Sequence, residues 1–282
     1  MSYKILTKKV LNPQIFLMEI EAPLVARRAE PGQFIILRID EFGERVPFTI
    51  ADFDREKGTV TIIVQAVGKT TQELSKFEEG DSILDFAGPL GMPTKLEGLK
   101  KVAVIGGGLG TAIAYPQAKK LHNMGADVTV ITGFRDKDLI ILEDELKVVS
   151  DKLIITTDDG SNGLQGFVTD RLKEQIEAGE KFDAGIAIGP LVMMRAVCNL
   201  TKEYDIPTIV SMNSVMIDGT GMCGGCRVVV DGQVKFACVD GPDFDGHKID
   251  WQLALNRSQM FKEYETSAKE HNCHIGRGCH NA

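Results

Sequence analysis

The 282-residue sequence lacks any excess of basic charge: 32 Lys and Arg stand against 40 Asp and Glu, for a net charge of −8. That balance argues against nucleic-acid binding, which normally needs a basic face, and it disfavours docking on anionic membrane. No apolar run reaches the roughly 18 residues of a membrane-spanning helix. The opening stretch, residues 1–10, carries no apolar signal core, so the expected location is the cytoplasm. Five histidines occur, and none belongs to a recognisable nucleophile–base–acid triad. Neither a long internal repeat nor a low-complexity segment is present. What the chain does have is 29 glycines, about a tenth of its length against a usual ~7%, and six cysteines. Without a secretion signal, such cysteines read as metal or redox chemistry before disulfides.

At roughly 100–200 residues per domain, the length suggests about two domains with an appendage. Three textures follow one another. Residues 4–10, 15–21, 33–39, 48–52, 59–67 and 80–86 read as short strands of an antiparallel barrel. Residues 70–76 read as a helical turn, and Gly88-Pro89-Leu90-Gly91 as a linker. From Lys100 onward, buried strands at 102–105, 128–132, 153–157, 184–188 and 208–210 alternate with helices, the pattern of a doubly wound parallel sheet. After Ser211 a Gly- and Cys-dense stretch leads to one hairpin about Asp231-Gly232, then a helix over 251–269 and a tail. The expected division is a barrel over 1–96, a nucleotide-binding domain over 97–212, a cluster domain over 213–250, and a C-terminal helix and tail over 251–282.

Cys223 and Cys226 form Cys-x2-Cys, and the hairpin returns Cys238 toward them. Counting back from Cys223 places Asp218 where the plant-type [2Fe–2S] spacing, Cys-x4-Cys-x2-Cys, puts its first thiolate. Asp218, Cys223, Cys226 and Cys238 are therefore the expected cluster ligands, and nearby glycines free backbone amides to face the sulfurs. Zinc is the rival occupant, although zinc knuckles usually pair two such motifs or add His. Cys198, in a helical stretch, reads as a core thiol. The tail holds His271, Cys273, His274, Cys279 and His280. It reads as a solvated or partner-docking terminus, with a second metal site as the alternative.

Gly107, Gly108 and Gly110 lie between a buried strand and a helix, where backbone amides can hold a pyrophosphate. Asp158, Asp159, Gly189 and Pro190 follow two further strands and would line the same crevice. Arg135 favours a 2′-phosphate and Asp136 a free ribose, so NADH and NADPH both remain open. In the barrel, Arg45, Pro47, Phe48 and Thr49, and separately Gly68, Thr70 and Thr71, combine a cation with hydroxyls or a helix start. Either group suits a phosphate-bearing cofactor, and either is equally a solvated cation beside a turn.

Taken in order, these motifs resemble the ferredoxin–NADP reductase superfamily. Adding the cysteine loop narrows the resemblance to the electron-transfer subunits of dihydroorotate dehydrogenase and their relatives, over nearly the whole chain to about Asp250. Those subunits usually carry four cluster cysteines. Asp218 with three cysteines is similar instead to the small subunits of electron-bifurcating NADH-dependent reduced ferredoxin:NADP+ oxidoreductases. The resemblance implies FAD in the barrel, NAD(H) in the second domain and a [2Fe–2S] cluster. It also implies a heterodimer with a larger flavin and [4Fe–4S] subunit, and through it a link to ferredoxin and NADP(H). It places Arg45 and Thr70 or Thr71 on the FAD phosphates and Thr49 near the flavin N5, the expected catalytic position. Thr70 stands where relatives often carry glycine. Sibling readings are the dihydroorotate dehydrogenase subunit itself and a sulfide dehydrogenase or NADPH:ferredoxin reductase subunit. A colourless, non-enzymatic zinc scaffold is the reading from another class.

Overall fold

The structure, a computed structural model, describes residues 2–264 and 266. The first strands are β1 (Tyr3–Asn12), β2 (Ile15–Glu21), β3 (Phe34–Arg38), β4 (Val46–Thr49), β5 (Asp52–Asp54), β6 (Thr59–Gln65), β7 (Ser82–Ile83) and β8 (Asp85–Leu90), with short helices α1 (Pro23–Ala26) and α2 (Lys69–Leu74). They form two antiparallel sheets, β5-β6-β2-β1-β7 and β4-β3-β8. Alternation makes the barrel core. Phe16, Met18 and Ile20 of β2 are buried opposite Val64, Ile62 and Val60 of β6, while Leu17 and Glu19 between them stay partly exposed. Ile35, Leu37 and Phe86 close the same core from the other sheet. Each such fully buried side chain contributes about 1.5–3 kcal/mol of apolar burial.

Two expectations for this region are corrected. The single strand expected over 48–52 is two: β4 ends at Thr49, buried Ile50 and Ala51 cross between sheets, and β5 begins in the other sheet. Gly88, Pro89 and Leu90 are no linker. They belong to β8, and a Cβ on Gly88 would come 2.6 Å from the Ile35 side chain on β3.

The second layer contains β9 (Lys101–Gly107), α3 (Gly110–Asn123), β10 (Asp127–Phe134), α4 (Glu143–Val148), β11 (Lys152–Thr157), α5 (Val168–Glu177), β12 (Ala184–Ile188), α6 (Leu191–Glu203) and β13 (Thr208–Ser211). The strands run parallel in the order β11-β10-β9-β12-β13. Their sequences are continuously apolar because both faces are covered. Val102, Val104 and Val130 pack with Ala114, Ala118 and Leu121 of α3. Ala103, Ile105 and Ile131 pack with Leu172 of α5 and Met194 of α6. The strand order reverses between β9 and β12, which opens a crevice at their carboxyl ends. Ion pairs from α3, Lys119 to Asp52 at 2.7 Å and Lys120 to Glu30 at 2.9 Å, tie this layer to the barrel.

The cysteine segment holds a hairpin, β14 (Arg227–Val230) and β15 (Gln233–Phe236), followed by β16 (Asp243–Asp245) and α7 (Trp251–Ser258). β16 was not expected. It pairs antiparallel with β13 and adds a sixth strand to the nucleotide-type sheet. The helix expected over 251–269 is assigned as α7 only to Ser258, and the tail cysteines Cys273 and Cys279 lie outside the described residues. Among the described residues, no helix is long and apolar enough to cross a membrane.

Candidate functional site

At the crevice, the turns after β9 and β12 pack directly on each other. A Cβ on Gly107 would strike Met193 and Pro190, and one on Gly110 would strike the Ile188 carbonyl. A Cβ on Gly189 would come 2.9 Å from Met193 and 3.1 Å from Gly107. These three positions are glycine because protein atoms fill the space, backbone at Gly110, the Met193 and Pro190 side chains at Gly107, and both kinds at Gly189. Gly108 differs: its φ is +54°, and a Cβ there would meet nothing within 4 Å. It is the glycine of this turn that faces open space. The N-termini of α3 and α6 flank it, with Pro190 at the N-cap of α6.

Asp158 and Asp159 are exposed and zipped to the end of β10: their amides donate to the Phe134 and Arg135 carbonyls at 3.0 and 3.3 Å. Hydrogen bonds from the side chain and backbone of Ser161 hold the Asp159 carboxyl below its ordinary value. Asp136 turns inward to accept from the Asp138 amide at 3.0 Å, and Arg135 is exposed.

In the barrel, Pro47, Phe48 and Thr49 lie half-buried on β4, with Thr49 opposite Phe34 of β3. Arg45 is exposed just ahead of that strand. Buried Thr70 donates to Glu44 at 3.2 Å, which ties the start of α2 to the loop carrying Arg45. The Thr71 hydroxyl is fully used inside its own turn. It accepts from the Val67 and Gly68 amides at 3.1 and 2.9 Å and donates to the Gly68 carbonyl at 3.0 Å.

The cysteine loop packs against the barrel. A Cβ on Gly219 (φ +75°) would press into Ile36 and Leu90 of β3 and β8. Cys226 and Cys238 are 1% and 2% exposed and share one core with Phe34 and Ile36. The Cys238 amide points at Cys226 Sγ, 3.4 Å away. Burial pushes the Cys238 thiol up to about 12, and the neighbouring Cys226 thiol adds to that shift. Cys223 is exposed, with its Sγ 2.9 Å from Asp218 Oδ1. Bonds from the Cys223 thiol, the Thr220 hydroxyl and the Met222 amide hold the Asp218 carboxyl well below the usual carboxylate range. Arg257 of α7 braces the loop through the Gly225 carbonyl at 2.9 Å.

Among the described residues, no three His, Cys, Asp or Glu side chains converge on one metal position. The donors instead make two pairs, Asp218 with Cys223 outside and Cys226 with Cys238 inside. Two donors per pair suit a two-iron cluster, in which bridging sulfides complete each iron's tetrahedron, better than one zinc needing four donors at a point. The donor set therefore fits the expected group.

Several residues of this junction escape sequence reasoning. Thr94, between β8 and β9, bonds Asp243 of β16 at 2.5 Å, and Gln117 of α3 lies beside it. The signal available was a polar residue, Asp243, set between Pro242 and Phe244.

An antiparallel barrel joined to a doubly wound sheet, with a cysteine loop clipped to both, defines a flavin- and pyridine-nucleotide-type reductase coupled to an iron–sulfur site. Residues 213–250 match the iron-sulfur cluster binding domain of dihydroorotate dehydrogenase B. The chain belongs to the family of dihydroorotate dehydrogenase B electron-transfer subunits and their homologues. It is 45% identical to the Thermotoga maritima homologue of that NAD(+)-type subunit, over 95% of this chain and 94% of the relative. It is 52% identical, over 98% of each chain, to a Clostridium beijerinckii protein described by its place in the adh 3′ region. It also superposes with TM-score 0.89 on a chain of the NADH-dependent reduced ferredoxin–NADP oxidoreductase, solved in connection with flavin-based electron bifurcation. That pair is 45% identical, covering 95% of this chain and 96% of the other.

Proposed function

We propose that this chain is the small subunit of an NADH-dependent reduced ferredoxin–NADP+ oxidoreductase, passing electrons between NAD(H) and a larger flavoprotein subunit. The observation that carries the reading is the pairing of the expected donors, Cys226 with Cys238 against the barrel and Asp218 with Cys223 at the surface. FAD, when bound, supplies the exchange between a two-electron hydride donor and a one-electron cluster.

The chain's own residues bind and orient. Arg45 and Thr70, which bonds the neighbouring Glu44, would meet the FAD phosphates with Gly68 at the head of the same turn; Thr71 shapes that turn. Pro47, Phe48 and Thr49 would present β4 to the flavin ring, with Thr49 the residue expected near its N5. Gly108 admits the NAD(H) pyrophosphate to the α3 N-terminus, while Gly107, Gly110, Gly189 and Pro190 hold the two turns together. The carboxylates of Asp158 and Asp159 at the rim would disfavour a 2′-phosphate while the adjoining Arg135 would favour one, and the similarity to an NADH-dependent oxidoreductase supports NAD(H). Cys226 and Cys238 against the barrel, and Asp218 and Cys223 at the surface, would hold the [2Fe–2S] cluster.

Around that outer pair Val215, Ile217 and Met222 are 42%, 57% and 87% exposed, an apolar rim on which the larger subunit docks. Through that subunit the chain connects to ferredoxin and NADP(H) within the cytoplasm. The second reading, a dihydroorotate dehydrogenase electron-transfer subunit, is favoured by the family match; Asp218 in a slot normally held by cysteine favours the first.

The test is to purify the native complex and assay each part. The isolated chain should oxidise NADH with an artificial acceptor and reduce NADP+ only when its partner is present. An NADP+-linked reaction by the chain alone, or a dihydroorotate-oxidising partner, would overturn the assignment.

A further inference from the structure

Thr94, 3% exposed, sits where the barrel, α3 and β16 meet, and its hydroxyl is surrounded by acceptors. The Pro31 carbonyl lies 3.2 Å away and Asp243 Oδ2 2.5 Å away. Gln117 supplies a third. Its amide nitrogen serves the Ile113 and Ala114 carbonyls at 2.5 and 3.3 Å, which turns its oxygen toward Thr94. A threonine hydroxyl carries one proton. Three acceptors cannot share it, and each buried polar atom left unpaired costs about 1–3 kcal/mol. A second proton resides on Asp243 in the arrangement that satisfies most of them. Asp243 then donates to Thr94, and Thr94 donates onward to Pro31 or Gln117.

The remainder of Asp243 agrees with a neutral acid. Oδ1 is buried and makes no hydrogen bond of good geometry, which an ion would tolerate far less than a carboxylic acid. Burial pushes the carboxyl up to about 6, against the opposing pull of the Thr94 and Ser211 hydroxyls. The groups that act on it are neutral, the Thr94 hydroxyl and the Ser211 hydroxyl from β13, and the groups around Thr94 are neutral too, Gln117 from α3 and the Pro31 carbonyl from the barrel. Charged residues on the same elements are engaged elsewhere, Glu30 with Lys120 at 2.9 Å and Asp245 with Lys248 at 3.6 Å.

The place matters as much as the protonation. Asp243 follows Cys238 by five residues. The adjoining backbone is stitched to both neighbours, Met92 amide to Gly241 carbonyl at 2.6 Å and Met212 amide to Pro242 carbonyl at 2.9 Å. A Cβ on Gly32 of the barrel would come 2.9 Å from Asp243 Oδ2.

We propose that Asp243 is a positioning residue: as a neutral carboxylic acid it bolts the cysteine segment to the barrel and to Thr94, holding the cluster site in register with the flavin site. The second half of this inference rests on the function proposed above; the bolt itself does not. Ionisation removes the proton that Thr94 accepts and leaves a buried charge facing oxygen atoms, so the joint loosens.

The experiment compares wild type with Asp243→Asn, whose amide donates to Thr94 at every pH, and with Asp243→Ala, which donates nothing. Because the folded-state value lies above the ordinary carboxylate value, the neutral form's stabilisation is present below about 4 and is lost as pH rises through about 6. The melting temperature of wild type should therefore fall relative to Asp243→Asn across that window, with or without bound cofactors. In the loaded protein, NADH should bleach the cluster severalfold more slowly at pH 8 than at pH 5.5 in wild type. That slowing should be absent in Asp243→Asn and present at both pH values in Asp243→Ala, with flavin reduction by NADH changed in none. A wild type that differs from Asp243→Asn by a pH-independent offset, in melting and in cluster reduction alike, overturns the bolt. A wild type without visible cluster or flavin absorption overturns the proposed function instead, and the melting comparison still reads the bolt. If Asp243→Ala fails to fold, the wild-type and Asn pair decides alone.

Discussion

The turn at 106–110 and the cysteine loop at 218–226 are both dense in glycine, for opposite physical reasons. In the first, Gly107 and Gly110 are small because the β12–α6 turn lies against them, and only Gly108 faces free space. In the second, Gly219, Gly221 and Gly224 all have positive φ, at +75°, +86° and +66°, and bend the chain so that donors from a short stretch face one another. The first loop is shaped mainly by what packs on it, with positive φ only at Gly108, and the second mainly by the positive φ that three of its glycines adopt. Glycine density alone therefore does not say which residues meet a ligand.

The contrast can be broken by substitution. The largest effect should come from the inner donors: Cys226→Ser or Cys238→Ser should drop bound iron from about two per chain to nearly none, read by iron analysis and visible absorption. An outer loop residue far from the donors would leave both unchanged. Next, Gly110→Ala should destabilise the fold by roughly 2–4 kcal/mol, because the Ile188 carbonyl cannot move without displacing β12, and urea unfolding reads the loss. Gly108→Ala should cost only about 1 kcal/mol of backbone strain while weakening NADH binding on the order of tenfold, a split visible in KM. If Gly110→Ala and Gly108→Ala behave alike, the distinction between packed and open glycines fails. The smallest effect is expected for Asp218→Cys, which should keep two irons and change the EPR spectrum of the reduced cluster without loss of stability. Complete loss of the cluster in that variant would show that the outer pair needs a carboxylate.

Much of this was legible in the sequence because the informative signals were local. Period-two alternation in β2 and β6 and continuous apolar strands at β9 and β10 mark the two layers directly. The spacing from Asp218 to Cys226 brings three candidate donors into one loop. What stayed hidden depends on contacts between distant parts of the chain. β16 is a three-residue strand of Asp, Phe and Asp that has no strand character until β13 pairs with it. Gly88 to Leu90 carries turn residues yet extends β8, because β3 supplies the partner. Thr94 and Asp243, separated by 149 positions, meet only after all three segments have folded together. The family resemblance places Thr70 or Thr71 on a phosphate, and the fold shows that the Thr71 hydroxyl is engaged within its own turn.

The central claim is that one chain holds a flavin site, a pyridine-nucleotide site and a two-iron site in electronic contact. An anaerobic titration of the purified chain with NADH, followed by absorption and EPR with iron and flavin analysis, tests it most directly. The account expects about two irons and one FAD per chain, bleaching of both by NADH, and the EPR signal of a reduced [2Fe–2S] cluster. A colourless chain holding stoichiometric zinc and unresponsive to NADH would contradict it.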